Sequence, residues 1–302
     1  MGEVDKRNRL MPSSACMPEH SPSASRVLII AVATTCLLVS VACAPHLESR
    51  PGVFEVAHYE TKFQKASLHV TCAKPAGGKP STAGMVVFFT GDAGWFGTSS
   101  LLFEHLAERG YYLVGYNSRE VLKPVKQSGE RLSIAQSADR MKEALAEARS
   151  KLGLEENTLW MVVGFSRGAT AAAFTMVHPQ LKDNLLGGVA VALTRESDYL
   201  RAPKPSERPP GIEVDDKERI QIYPALVAAA TVPAAVIQST GDKYVPSAES
   251  RRLLGPDTPR RRLYEVQAKN HSFSGGEQTL LRDLDDALGW LQESASAGGP
   301  SR

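Results

Sequence analysis

The chain has 302 residues, with 35 lysines and arginines against 33 aspartates and glutamates, a formal net charge of +2. So even a balance excludes a nucleic-acid binder that works through a basic surface, and the length fits one large α/β domain or two small ones. Three of the four cysteines, Cys16, Cys36 and Cys43, fall in the first 43 residues. Cys72 is therefore a strand cysteine without an intradomain disulfide partner.

Residues 1–25 are polar and rich in proline and serine, and Lys6, Arg7, Arg9 and Arg26 put positive charge before an uncharged run, Val27 to Ala42. That run is shorter than the roughly 20 apolar residues that span a bilayer. A charged start, a short apolar run and a small residue before the break read as an export signal. The break itself, Val39-Ser40-Val41-Ala42-Cys43, resembles the bacterial lipobox, in which the cysteine is lipidated and becomes the first mature residue. A plain signal peptide and an uncleaved anchor are the alternatives. Residues 1–43 are thus expected to be a targeting segment with Cys43 as the lipidation site, and 44–52 a tether.

Val53–Tyr59 and Ser67–Cys72 suit two antiparallel strands, and Pro75–Ala83 a loop. Met85–Phe89 is apolar without alternation, as in a strand covered on both faces. It runs into the turn Thr90-Gly91-Asp92-Ala93-Gly94-Trp95. Ser99–Glu108 has helical spacing with Gly110 as a stop, and Tyr111–Tyr116 is the next strand. A polar loop with Arg119, Lys123, Lys126 and Arg131 precedes an amphipathic helix, Ile134–Leu152, capped by Gly153. Leu159–Val163 is a strand, Ala169–Val177 a helix and Leu185–Leu193 a strand. Residues 195–225 break the rhythm and read as a lid, a recognition loop or a variable surface loop. Val232–Ser239 and Leu263–Gln267 are the last strands, Ala248–Leu254 a short helix and Gln278–Leu291 the closing one. The tail after Glu293 is expected to fray. From residue 85 onward strands alternate with helices, which calls for an α/β fold with a mostly parallel sheet and helices on both faces. The folded domain is placed at 53–293.

Between the strand Leu159–Val163 and the helix at 169 stands Gly164-Phe165-Ser166-Arg167-Gly168, of the form G-x-S-x-G. Strand, sharp turn and helix make this pattern a nucleophile elbow, which lifts a serine hydroxyl clear of the sheet. The N–H of Arg167 is then aimed at a developing oxyanion, and the glycine turn after Met85–Phe89 supplies the other donor from Asp92 or Ala93. Asp242 follows a late strand and His271 follows the last one. Serine, aspartate, histidine in that order, each at a strand end, is one chain order of the Ser-His-Asp triad. His46, His58, His69, His105 and His178 show no ligand spacing, so the chemistry calls for no metal and no cofactor.

With these residues the chain resembles the α/β-hydrolase superfamily from about residue 53 to 292. The elbow, the Gly-Asp-x-x-Val-Pro turn at 241–246 and Asn270-His271-Ser272-Phe273 carry that match. More narrowly it resembles the VirJ/AcvB family of bacterial virulence-associated proteins. Gly91-Asp92-Ala93-Gly94-Trp95, Gly164–Ala169 and Ser197-Asp198-Tyr199 carry the narrower match. The resemblance implies a periplasmic, membrane-associated hydrolase that releases the amino acid from lysyl- or alanyl-phosphatidylglycerol; the alternatives are a general envelope esterase, lipase or peptidase-like hydrolase of the same fold, and an accessory protein binding envelope or secretion partners. Asp92, Trp95 and Asp198 are then expected to bind substrate. A carboxylate beside an oxyanion hole needs a compensating cation, and the α-ammonium of an aminoacyl ester is expected to supply it to Asp92 or Asp198. No nucleic acid is expected as a partner.

Overall fold

Among the described residues, eight strands form one sheet in the order β1-β2-β4-β3-β5-β6-β10-β11. They are β1 (Phe54–Phe63), β2 (Ala66–Pro75), β3 (Met85–Phe89), β4 (Tyr112–Tyr116), β5 (Trp160–Phe165), β6 (Leu185–Val191), β10 (Ala234–Ser239) and β11 (Arg261–Val266). β1, β2 and β4 pair antiparallel, and every pair from β4 to β11 is parallel. The helices are α1 (Thr98–Glu108), α2 (Ser118–Ser128), α3 (Ile134–Leu152), α4 (Arg167–Val177), α5 (Ile222–Ala229), α6 (Ser247–Leu254) and α7 (Glu277–Ala297). The structure is a computed structural model and describes residues 47–63, 66–77, 84–197, 200–208 and 211–297, all within the unit Pro45–Arg302. Residues 1–43, with Cys43, lie outside the described residues, as do Asp198 and Tyr199. Among the described residues no helix is long and apolar enough to cross a membrane.

The core lies on both faces of the sheet because its central strands have no polar face. Met85, Val87 and Phe89 point to one side, with Ala169, Ala172 and Ala173 of α4. Val86 and Phe88 point to the other, with Leu102 and Leu106 of α1 and Leu284 and Leu288 of α7. Side chains alternate along a strand, so an unbroken apolar run is what two covered faces require.

Several boundaries differ from expectation. The stretch 44–52 is not a free tether where it is described: Leu47 is buried against Phe54 and Ala73, Ser49 Oγ accepts the Val56 N–H at 2.7 Å, and Arg50 pairs with Glu108. Residues 118–128, read as a polar loop, are helical. Asn117 Oδ1 accepts the Arg119 N–H at 3.0 Å and so caps α2, while Leu122 is buried. The closing helix runs to Ala297, past the expected end at Leu291. Where it is described, the insertion carries a small antiparallel sheet of β7 (Glu196–Ser197), β9 (Ile220–Gln221) and β8 (Glu213–Val214) leading into α5. Arg219 ties it together by bonding both Asp215 (2.8 Å) and Glu196 (2.5 Å).

Two glycines set how closely α4 meets the sheet. A Cβ on Gly164 would lie 2.0 Å from the Gly168 carbonyl oxygen, and one on Gly168 would lie 2.2 Å from the Phe89 oxygen. Both obstacles are backbone, which cannot step aside as a flexible side chain can. Gly168→Ala is expected to cost about 3 kcal/mol or more in urea unfolding, and an unchanged midpoint would show that the contact yields.

Candidate active site

Ser166 sits between β5 and α4 with φ 55° and ψ −117°, a backbone conformation that residues with side chains rarely adopt. It is held there from two directions. Its N–H donates to the Val191 carbonyl at 2.8 Å, and its carbonyl accepts from the Ala169 N–H at 2.9 Å. The hydroxyl is thereby presented at the carboxyl end of the parallel strands, where ligands meet open α/β sheets.

Asp242 and His271 come to this point from loops after β10 and β11. A Cβ on Gly241 would lie 2.5 Å from the Ala268 carbonyl oxygen, so these two loops touch through backbone. The histidine loop is fixed by its own turn. Asn270 Oδ1 accepts the N–H groups of Ser272 (3.0 Å) and Ser274 (3.2 Å), and Phe273, at φ 59°, is fully buried. Thr98 Oγ1 donates to the Ser272 carbonyl at 2.9 Å and joins that loop to the start of α1.

The three side chains form a continuous relay. His271 Nε2 lies 2.7 Å from Ser166 Oγ, and its Nδ1 lies 2.7 Å from Asp242 Oδ2. The Asp242 side chain is fully buried and that of His271 is 15% exposed. A buried carboxylate is tolerable only when its oxygens are bonded, and here both are. The Tyr244 N–H donates to Oδ1 at 2.8 Å and Gln238 Nε2 to Oδ2 at 2.9 Å. With Nδ1–H donated to the carboxylate, Nε2 carries the lone pair that faces the serine. The rings of Tyr244 (4.9 Å, edge-on) and Phe165 (5.6 Å) flank the imidazole.

Gly91 brings the expected oxyanion turn alongside the nucleophile: a Cβ there would lie 3.3 Å from Ser166 Cβ. The turn is closed by the Gly94 N–H on the Gly91 carbonyl at 3.0 Å, and the Gly91 N–H is spent on Ser99 Oγ at 3.1 Å. The N–H groups that follow in the turn are those of Asp92 and Ala93. Arg167 opens α4, a position whose N–H the helix does not use for its own ladder. These three remain the candidate donors.

Two substrate-binding expectations change. The Asp92 carboxylate pairs with Arg167 Nε, so the compensating cation is the chain's own guanidinium, and no substrate ammonium is needed for it. Trp95 turns into the core. Its indole packs against Phe88 and Phe103, in the space a Cβ on Gly115 would fill, 2.3 Å from the ring. A glycine in mid-strand marks such a close approach.

Gln238 was absent from the expected site. It is fully buried in β10, its Nε2 bonds Asp242 and, at 2.5 Å, the Val245 carbonyl, and its Oε1 accepts the Leu193 N–H at 3.0 Å. A glutamine inside an otherwise apolar strand must find partners, and that was the readable signal. Gln238→Leu is expected to leave Asp242 less firmly aimed. The downfield imidazole N–H resonance of His271 should then broaden or shift, and an unaltered resonance in a folded variant would remove Gln238 from this role.

No family model matches the sequence and no curated protein matches it. Solved structures do. A protein assigned as a dienelactone hydrolase from Klebsiella pneumoniae superposes with TM-score 0.54 at 14% identity, over 80% of this chain and 99% of its own. An esterase from Pyrococcus furiosus gives TM-score 0.54 at 15% identity over 79% and 93%. The fold is that of the α/β hydrolases. A third structure with this fold, a thermophilic esterase from Thermogutta terrifontis, gives TM-score 0.52 at 19% identity over 78% and 91%. In this chain Ser166 stands in the turn between β5 and α4, and Asp242 and His271 in the loops after β10 and β11.

Proposed function

We propose that this protein is a serine hydrolase of carboxylic esters working through an acyl-enzyme. The observation that carries the reading is the relay Ser166–His271–Asp242, closed at 2.7 Å on each side of the imidazole. His271 Nε2 takes the hydroxyl proton as Ser166 Oγ bonds to the ester carbonyl carbon. Asp242 holds the Nδ1–H and stabilises the imidazolium. The oxyanion is met by the N–H of Arg167 and one from Asp92 or Ala93, each such donor contributing about 3 kcal/mol to lowering the barrier. As the carbonyl re-forms, the ester C–O bond breaks and the alcohol leaves with the proton from His271. Water then gives a proton to His271 and its oxygen to the acyl carbon, and the acid departs as Ser166 recovers its hydrogen.

The proposed substrate is the aminoacyl ester of lysyl- or alanyl-phosphatidylglycerol, at the periplasmic side of a bacterial membrane to which Cys43 anchors the chain. Its support is the three VirJ/AcvB-like motifs and the lipobox-like break at Ala42-Cys43. Since Arg167 already engages Asp92, Asp198 becomes the proposed partner of the substrate ammonium.

A fluorophosphonate probe should label the protein at Ser166, and labelling should vanish in Ser166→Ala. Asp242→Asn should lower kcat by about 10⁴. Labelling that persists without Ser166 would refute the mechanism. On the substrate, Asp198→Asn should lower kcat/KM for an aminoacyl ester about tenfold or more relative to a simple acyl ester, whereas Asp92→Asn should leave that ratio unchanged. The opposite pattern would return the ammonium to Asp92. Lipid extracts of cells lacking the gene should accumulate aminoacyl-phosphatidylglycerol, and unchanged extracts would dismiss that substrate.

A further inference from the structure

A cavity of about 500 Å³ lies between α3, α4 and the β1–β2 end of the sheet. Protein interiors hold few voids larger than a water molecule, and this volume is that of a ligand pocket. Its inner wall is Leu68, Phe89, Tyr116, Phe174, Leu181 and Leu200, all nearly buried. Ser166, Asp242 and His271 are not on the wall, but the cavity adjoins their support. Phe89 is the last residue of β3, and its carbonyl is the one that packs on Gly168 beside the nucleophile. From there the wall follows one stripe of α4, Ala171, Phe174 and Thr175, and ends at His178 just past the helix, a length of roughly 10 Å.

The hydroxyl groups on this wall are already committed, that of Thr61 to the Glu147 carboxylate. Ser137 Oγ donates to the Ile134 carbonyl (2.7 Å), Thr175 Oγ1 to that of Ala171 (2.9 Å), Ser118 Oγ to that of Thr90 (2.5 Å) and Tyr116 Oη to that of Ala144 (3.4 Å). His178 Nδ1 accepts the Gln180 N–H at 3.2 Å, and burial holds the imidazole below its usual pKa. A polar ligand would find few free partners inside, whereas a hydrocarbon loses nothing by entering. Of the charged residues, Glu60, Lys62, Arg140 and Glu143 are exposed at the rim, and the half-buried Glu147 accepts the Thr61 hydroxyl. Across the cavity the insertion is strapped to the chain before α3, with the Arg201 N–H on the Leu132 carbonyl at 2.8 Å, and this contact brings Leu200 to the wall.

We propose that this cavity binds one straight hydrocarbon chain of the ester substrate, an inference that rests on the hydrolase reading for its link to catalysis. The binding step is tested without turnover. Ser166→Ala protein should bind cis-parinaric acid saturably, with displacement by dodecanoate. Filling the cavity from α3 with Ala144→Trp, or more mildly with Ala144→Leu, should weaken that binding tenfold or more in a protein with unchanged circular dichroism. In the wild type, kcat/KM should rise about threefold to fourfold per added methylene. A rise along 4-nitrophenyl acyl esters places the chain on the acyl side, and a rise along alkyl acetates places it on the alcohol side. The slope should flatten in the filled variants. Absence of saturable binding, or binding equal in both filled variants, would overturn the proposal. Binding that responds to filling in a protein that cleaves no ester would uphold the cavity and overturn the hydrolase reading instead.

Discussion

Where α4 leaves the nucleophile, its first turn rests directly on the carbonyls that end β3. Gly168 has no Cβ, and a Cβ there would meet the oxygens of both Phe89 (2.2 Å) and Thr90 (2.6 Å). That backbone contact decides the rest of the site. It fixes the height of Ser166 above the sheet and brings the Gly91–Gly94 turn beside that residue. The strained dihedrals of Ser166 persist because the Val191 carbonyl and the helix behind it hold both ends of the residue.

The other half of the site depends on a buried charge. The Asp242 side chain is fully buried, and its orientation is set by three donors from three elements: Gln238 in β10, Tyr244 in the following turn and His271 from the last loop. Removing any one leaves a desolvated carboxylate short of a partner, a cost that favours the single arrangement in which the imidazole faces Ser166. Preorganisation of this kind is what lets a neutral hydroxyl lose its proton without rearrangement of its surroundings. Arg167 extends the same logic to the oxyanion side, where its side chain neutralises Asp92 and its backbone begins the helix.

Most of the fold was legible because the central parallel strands are buried on both faces and their apolar runs end sharply at turns. Met85–Phe89 and Ile134–Leu152 were read to the residue. Ser166, Asp242 and His271 were legible because each stands just past a strand, and the sheet order then brings β5, β10 and β11 to one rim. What escaped notice depends on contacts between distant residues. Trp95 was expected to bind substrate only through the family resemblance, and nothing near it in the chain reveals the gap over Gly115. Asp92 looked uncompensated because Arg167 is 75 residues away. The helix at 118–128 was hidden by its charges, Arg119, Lys123 and Lys126, which read as a polar loop. The insertion reads as irregular because its strands are two residues long and are organised by Arg219 rather than by apolar alternation.

The central claim is that an ester's acyl group passes through a covalent bond to one serine. Intact-mass and peptide mass spectrometry on protein quenched in acid during turnover of 4-nitrophenyl acetate tests it directly. The account predicts an acetyl adduct confined to the peptide that contains Ser166, accumulating with a burst of nitrophenol. Turnover with no adduct, or with the adduct on another residue, would contradict it.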